Sequence, residues 1–170
     1  MIYAGIGSTK TPEDVCEVFV ELGKKLAFID ILLRSGGAPN ADESFEKGCD
    51  KVKGPKEIYL PWKGFQNNKS KLIVSDPKAF EIAKHYHPGW LYLNQGGQKL
   101  QARNSHQVLG WDLKTPCDFV VCWTKGGKDI GGTSQAIRIA RDYGIPIFNF
   151  GKYDSIKEAK AAFNDFYDKL

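Results

Sequence analysis

The sequence lacks the cysteine pairs that would staple a small secreted domain. Its four cysteines, Cys16, Cys49, Cys117 and Cys122, form no C-x-x-C unit, so reduced thiols in a cytoplasmic protein are expected, not a disulfide frame or a zinc site. No apolar run approaches the roughly 20 residues that span a bilayer, and no basic segment followed by a long apolar one opens the chain. No membrane partner is therefore expected. Strong charge of one sign is also missing: a formal net charge of +4 permits an anionic ligand without demanding one. Lysines cluster at Lys51, Lys53 and Lys56 and again at Lys63, Lys69 and Lys71. A nucleic-acid track interleaves arginines and aromatics, and here only Trp62 and Phe65 accompany them. A Walker loop is absent as well, because Lys125 and Lys128 precede the Gly131-Gly132-Thr133 corner instead of sitting at it. That excludes a P-loop NTPase.

What is present is a strand-and-glycine grammar. Three apolar runs break into glycine-rich turns: Ile2-Tyr3-Ala4 into Gly5-Ile6-Gly7-Ser8, Ile31-Leu32-Leu33 into Ser35-Gly36-Gly37-Ala38, and Phe119-Val120-Val121 through Cys122-Trp123 into Gly126-Gly127 and Gly131-Gly132-Thr133. A strand that ends in glycines and hands over to a helix brings bare N–H groups and a positive helix end to one edge of a sheet. Three such turns on one edge suggest a nucleotide-sized ligand.

Between the turns the pattern alternates. Met1 to Ala4 reads as a strand, and Thr11-Pro12-Glu13-Asp14 opens a helix to Phe28, with Thr11 as N-cap and Pro12 at its first position. Ile31 to Leu33 is a second strand and Ala41 to Gly48 a short helix stopped by Gly48. Glu57 to Leu60 is a third strand, and Trp62 to Pro77 is polar and irregular. Helices are expected over Lys78 to His85, Gln98 to Leu113, Thr133 to Tyr143 and Ile156 to Leu170, and strands over Asp118 to Trp123 and Ile145 to Phe150. The 170 residues, 42% of them hydrophobic, suit one α/β domain with a single full core. Its expected architecture is a parallel sheet with helices on both faces.

Several residues could carry chemistry. Gly5 and Gly7 let backbone approach a phosphate, and Ser8 adds a donor; the pair is equally a tight turn. Ser35, Gly36 and Gly37 lead to Asp42, which can cap a helix or hydrogen-bond a ribose. Gly131, Gly132 and Thr133 offer consecutive N–H groups and a hydroxyl, with Thr133 expected as N-cap. Trp123, just before this loop, is the tryptophan expected to face a ligand. His85 and His87 alternate as metal ligands would, but no third ligand is nearby and no metal is expected. Phe163 and Phe166 on the terminal helix suggest an apolar face for a homodimer or higher homo-oligomer.

The order Ile-Tyr-Ala-Gly-Ile-Gly-Ser, Leu-Arg-Ser-Gly-Gly-Ala with Ala41-Asp42, Ala102-Arg103-Asn104, Cys122-Trp123-Thr124 and Gly131-Gly132-Thr133 resembles the SLOG superfamily from Met1 to about Asn149. That group holds the DNA-processing protein A (Smf) domain, the lonely-guy cytokinin phosphoribohydrolases and the molybdenum-cofactor carrier proteins. The resemblance implies a modified Rossmann fold over residues 1–170 that binds a nucleotide-like small molecule at its strand ends. It also implies a functional arginine at Arg103, beside Asn104, whose guanidinium can grip a phosphate. His106, three residues on, would share that face.

The chain departs from the family in one place that bears on catalysis. Lonely-guy enzymes carry a glutamate three residues after the threonine of their glycine motif, where this chain has Ala136. Cleaving an N-glycosidic bond needs a carboxylate beside an oxocarbenium-like state, and Asp42, Glu43, Asp112 or Asp129 would have to supply it. Three functions follow. The first is a carrier, sensor or sponge for a nucleotide or nucleotide derivative such as an ADP-ribose species, with no resident cofactor. The second is a nucleotide N-glycoside hydrolase or transferase in which Asp42 is the catalytic candidate. The third is a recombination mediator that binds single-stranded DNA.

Overall fold

The computed structural model describes residues 1–170. Six parallel strands form one sheet: β1 (Ile2–Gly7), β2 (Leu32–Ser35), β3 (Lys56–Leu60), β4 (Leu72–Ile73), β5 (Phe119–Trp123) and β6 (Ile147–Asn149). Their spatial order is β4-β3-β2-β1-β5-β6. The α/β doubly wound architecture expected from the alternating pattern is thus present. β1 lies at the centre, pairing with β2 through Ile2 opposite Leu32 and with β5 through Tyr3 opposite Phe119. Because β2 and β5 leave β1 in opposite directions, the order reverses at β1, which opens a crevice at the carboxyl ends of the strands.

Side chains alternate across the sheet and feed two cores. Tyr3, Leu33, Phe119 and Val121 face one side, where they meet α1 (Glu13–Phe28), α2 (Ala41–Asp50) and α6 (Ile156–Tyr167). Ala4, Ile6, Val120 and Cys122 face the other, against α3 (Pro77–Tyr86), α4 (Gln95–Leu109) and α5 (Thr133–Asp142). Strands buried on both faces read as near-continuous apolar runs, which is why β1 and β5 stand out in the sequence. No helix is long and apolar enough to cross a membrane.

Several expected boundaries move, each for a local reason. Thr11 does not cap α1, since its hydroxyl donates back to the Ser8 carbonyl at 2.6 Å and Pro12 takes the cap position. Gly48 does not stop α2. It lies inside the helix, where a Cβ would stand 2.1 Å from the Val20 carbonyl oxygen of α1, so its job is to let two backbones approach. β4 falls in the stretch read as irregular, and two residues are too few to display a period. α4 begins early because Asn94 caps it, accepting from the Gly97 N–H at 2.8 Å, and it ends at Gly110, whose φ of +81° breaks the helix. Thr133 starts α5 without capping it.

The two phenylalanines expected on an apolar face of the last helix both contact β6. Phe163 is buried and packs edge-on against Phe148 at 5.2 Å between ring centroids, and Phe166 meets Phe148 at 5.3 Å. Both rings cover β6 from within the chain. The four cysteines are free thiols, Cys16 half-buried and the others buried.

Candidate functional site

A cleft of about 590 Å³ opens at the carboxyl ends of β1, β2 and β5. Five segments wall it: the β1–α1 turn (Ile6, Gly7, Ser8, Thr9, Lys10), the start of α2 (Ala38, Pro39, Asp42), the turn at Phe65 and Gln66, one face of α4, and the loop before α5. From α4 come Leu100, Gln101, Arg103, Asn104 and Gln107; from the loop come Lys125, Ile130, Gly131, Gly132 and Thr133. Of the expected site residues, Gly7, Ser8, Asp42, Arg103, Asn104, Gly131, Gly132 and Thr133 therefore line one cavity.

Others do not reach it. Gly5 sits in the core, where a Cβ would lie 2.7 Å from the Phe45 ring. Ser35 is fully buried and its hydroxyl donates to the Gly5 carbonyl at 2.6 Å, tying β2 to β1. Gly37, at φ +64°, lines a separate polar hollow with Glu43 and Glu46. Trp123 packs against the larger core instead of facing the cleft. His106 is turned away as well: it lies between Tyr59 and Trp111, 5.5 and 5.2 Å between ring centroids, with Nδ1 3.0 Å from the Gly110 carbonyl. Burial pushes its pKa down. Gly36 does not line the cleft but shapes it. A Cβ there would fall 1.6 Å from Arg103 Nη1, so only glycine lets the guanidinium lie on this turn.

Asp42 and Arg103 form the floor. Their side chains are 4% and 7% exposed, and Nη1 stands 3.3 Å from Oδ2. Arg103 also donates from Nη1 to the Gly36 carbonyl at 2.7 Å and from Nε to the Leu100 carbonyl at 3.4 Å. Its Nη2 has no acceptor within the chain, and the Phe65 ring lies 5.8 Å from the guanidinium carbon. Gln107, one turn further along α4, orients its amide oxygen to accept from the Gly36 N–H at 2.8 Å and from Arg103 at 3.2 Å, while its nitrogen donates to Asn104 at 3.1 Å. Burial raises the Asp42 pKa to about 6. Arg103 and the N–H groups of Ala38, Gly7 and Gly36 oppose that rise without cancelling it.

The amides of the three glycine turns have different fates. Gly7 N–H donates to Asp42 Oδ1 at 3.2 Å and Ser8 N–H to the Trp123 carbonyl at 3.1 Å. Ala38 N–H donates to Asp42 Oδ2 at 3.4 Å. The third turn differs. Gly131 at φ +73° followed by Gly132 at φ −63° is a left-then-right pair that makes a concave nest of amides. Neither Gly132 nor Thr133 N–H has an acceptor within the chain, and no side chain caps α5. Asn104 Nδ2 holds the loop from behind by donating to the Gly132 carbonyl at 3.0 Å.

Asp42 is the one carboxylate in the cleft lining. Glu43, Asp112 and Asp129 lie elsewhere, Asp129 paired with Arg141 at 2.7 Å. Ala136 is fully buried in the core beneath α5. No group of three or more His, Cys, Asp or Glu side chains comes together as a metal site would require. Sequence reasoning missed Phe65, Leu100, Gln107 and Ile130. Of these only Gln107 left a signal, one helical turn after Arg103.

No family model matches the sequence, and no curated protein matches it. Two solved structures match the chain. One is the Moco carrier protein of Chlamydomonas rheinhardtii, with 17% identity over 99% of this chain and 85% of that one and a TM-score of 0.54. The other is the molybdenum cofactor carrier protein MCP from Chlamydomonas reinhardtii, with 16% identity over 98% of this chain and 97% of that one and a TM-score of 0.44. At 17% identity the first likeness speaks to the Rossmann-like sheet and its helices, which the two chains share.

Proposed function

We propose that this chain is a SLOG-type binding protein, one domain over residues 1–170, that carries or senses a phosphorylated, nucleotide-like small molecule in the cleft. The observation that carries this reading is the pair of unpaired amides at Gly132 and Thr133, set at the start of the ten-residue helix α5. A phosphate there would accept both N–H groups and meet the positive helix end. Arg103 lines the same cavity as a charged donor. Leu100, Phe65 and Ile130 supply apolar surface on which a flat ring can lie.

Binding is favoured over hydrolysis by the state of Asp42. Both its oxygens already accept hydrogen bonds and its side chain is 4% exposed, whereas a group acting on an N-glycosidic bond must reach the sugar. Cargo of the kind that the neighbour's name describes, a molybdenum cofactor, would be gripped through its phosphate and ring, because the cleft brings no cluster of metal-ligating side chains.

The test is mass spectrometry of small molecules released on denaturing the purified protein, followed by rebinding. The expected result is a phosphate-bearing compound that raises the melting temperature of the wild type and not of Arg103→Ala. Release of a free base from a nucleoside monophosphate would replace this reading with the hydrolase. Tight binding of single-stranded DNA with a steep salt dependence would replace it with the mediator.

A further inference from the structure

We propose that Asp42 is a built-in anion occupying what would otherwise be a second phosphate position, so that the cleft grips a ligand through one phosphate and gains no affinity from a second. This rests on the cleft being the binding site.

The donors around Asp42 are those that a phosphate would seek. Its carboxylate takes Gly7 N–H from the first glycine turn, Ala38 N–H from the second, and Arg103 Nη1 from α4. It is the second residue of α2, so the helix end adds its positive partial charge. The side chain is 4% exposed, and the donors are held from behind: Gly36 and Gln107 fix Arg103 Nη1 in place. Two of the three turns that read as phosphate cradles are thus already filled by the chain's own carboxylate. Of the amides on the three turns, the Gly132-Thr133 pair is left for an incoming anion, with Arg103, Lys10 and Lys125 as the cations that line the cleft. A second phosphate reaching toward Gly7 and Ala38 would find its donors taken and a like charge among them, and specificity built from repulsion works in this way.

The probes are inorganic phosphate and pyrophosphate, titrated at about pH 8, where Asp42 is ionised, with the Gly132 and Thr133 amides followed by NMR. For the wild type, the two dissociation constants are expected to agree within about threefold, since a second phosphate finds the Gly7 and Ala38 amides taken by Asp42. In Asp42→Asn, pyrophosphate is expected to tighten about tenfold relative to phosphate, because the repelling charge is gone. A wild type that binds pyrophosphate more than about tenfold tighter than phosphate would overturn the proposal. So would an Asn variant with an unchanged ratio. Should that variant not fold, the wild-type ratio alone decides. Gly132→Pro separates the two ideas, because φ at Gly132 already suits proline and the ring removes the N–H from the nest. If phosphate shifts neither amide in the wild type, or binds this variant as well as the wild type, the binding site is elsewhere and both readings fall. If phosphate binding depends on Gly132 while the ratio ignores Asp42, only the specificity role falls.

Discussion

Asp42 stands between opposing forces. Removing its carboxylate from water disfavours the charge, and Arg103 with three backbone amides favours it; the balance leaves the pKa at about 6. The folded value lies above the ordinary carboxylate value near 3.9, so between about pH 4 and pH 6 the native state binds more protons than the unfolded one. Stability from this group is therefore full below pH 4 and falls as pH rises through 6. Asp42→Asn does not titrate. Its stability relative to the wild type should move in its favour by about 2 to 3 kcal/mol between pH 4 and pH 7, read from urea unfolding at the two pH values. A difference that stays constant would mean that the carboxyl titrates as it does in water. Gly36 gives a second residue-level prediction. A Cβ would lie 1.6 Å from Arg103 Nη1 and 2.0 Å from the end of the Gln107 side-chain amide, so Gly36→Ala must expel the guanidinium from Asp42. Breaking a buried pair costs about 3 kcal/mol or more. The variant should unfold at correspondingly lower urea and lose phosphate binding, with loss of neither counting against the role given to this turn.

At the level of elements, glycine means different things at different places, and the sequence does not label which. Gly48 looks like a helix stop because glycine commonly follows a helix, yet in α2 it is an interior position pressed against α1, as Gly23 is from the other side, where a Cβ would stand 2.5 Å from the Phe45 carbonyl oxygen. Gly96, in the first turn of α4, has no neighbour closer than 3.5 Å. The two should respond with opposite signs. Gly48→Ala forces the α1 and α2 backbones apart and should cost about 1 to 3 kcal/mol. Gly96→Ala only improves helix propensity and should gain about 0.5 to 1 kcal/mol. Chemical denaturation of both variants decides, and equal shifts would refute the packing role of Gly48. The same distinction explains which elements were legible. β1 and β5 are apolar runs because both faces are buried, and α6 shows its helical period plainly. β4 was hidden because two residues carry no period, and the start of α4 was hidden because the turn after its cap, Gln95-Gly96-Gly97-Gln98, has no apolar residue and two glycines.

For the whole molecule, the sequence reveals that three glycine turns gather on one edge, since parallel strands must all end there. It does not reveal which amides remain free. Gly7 and Asp42 are 35 residues apart, and Arg103 meets Asp42 from 61 residues away, so the filling of two turns by one carboxylate appears only when α2 and α4 converge over the sheet. The cleft that results is walled by segments that follow strands of both halves of the sheet, the β1–α1 turn and α2 on one side and the loop between β5 and α5 on the other. A ligand held in it links those halves in the native state and has no equivalent site in the unfolded chain. At a free concentration of about 100 times its dissociation constant, such a ligand adds about 2.7 kcal/mol of stability. For a chain of this length each kcal/mol corresponds to about 2 to 4 °C, so the melting temperature should rise by about 5 to 10 °C with the compound recovered from the purified protein. Hydrogen exchange should slow in α5 and α2 together, because one ligand touches the start of both. A rise in melting temperature with protection confined to one side would place the compound outside the cleft.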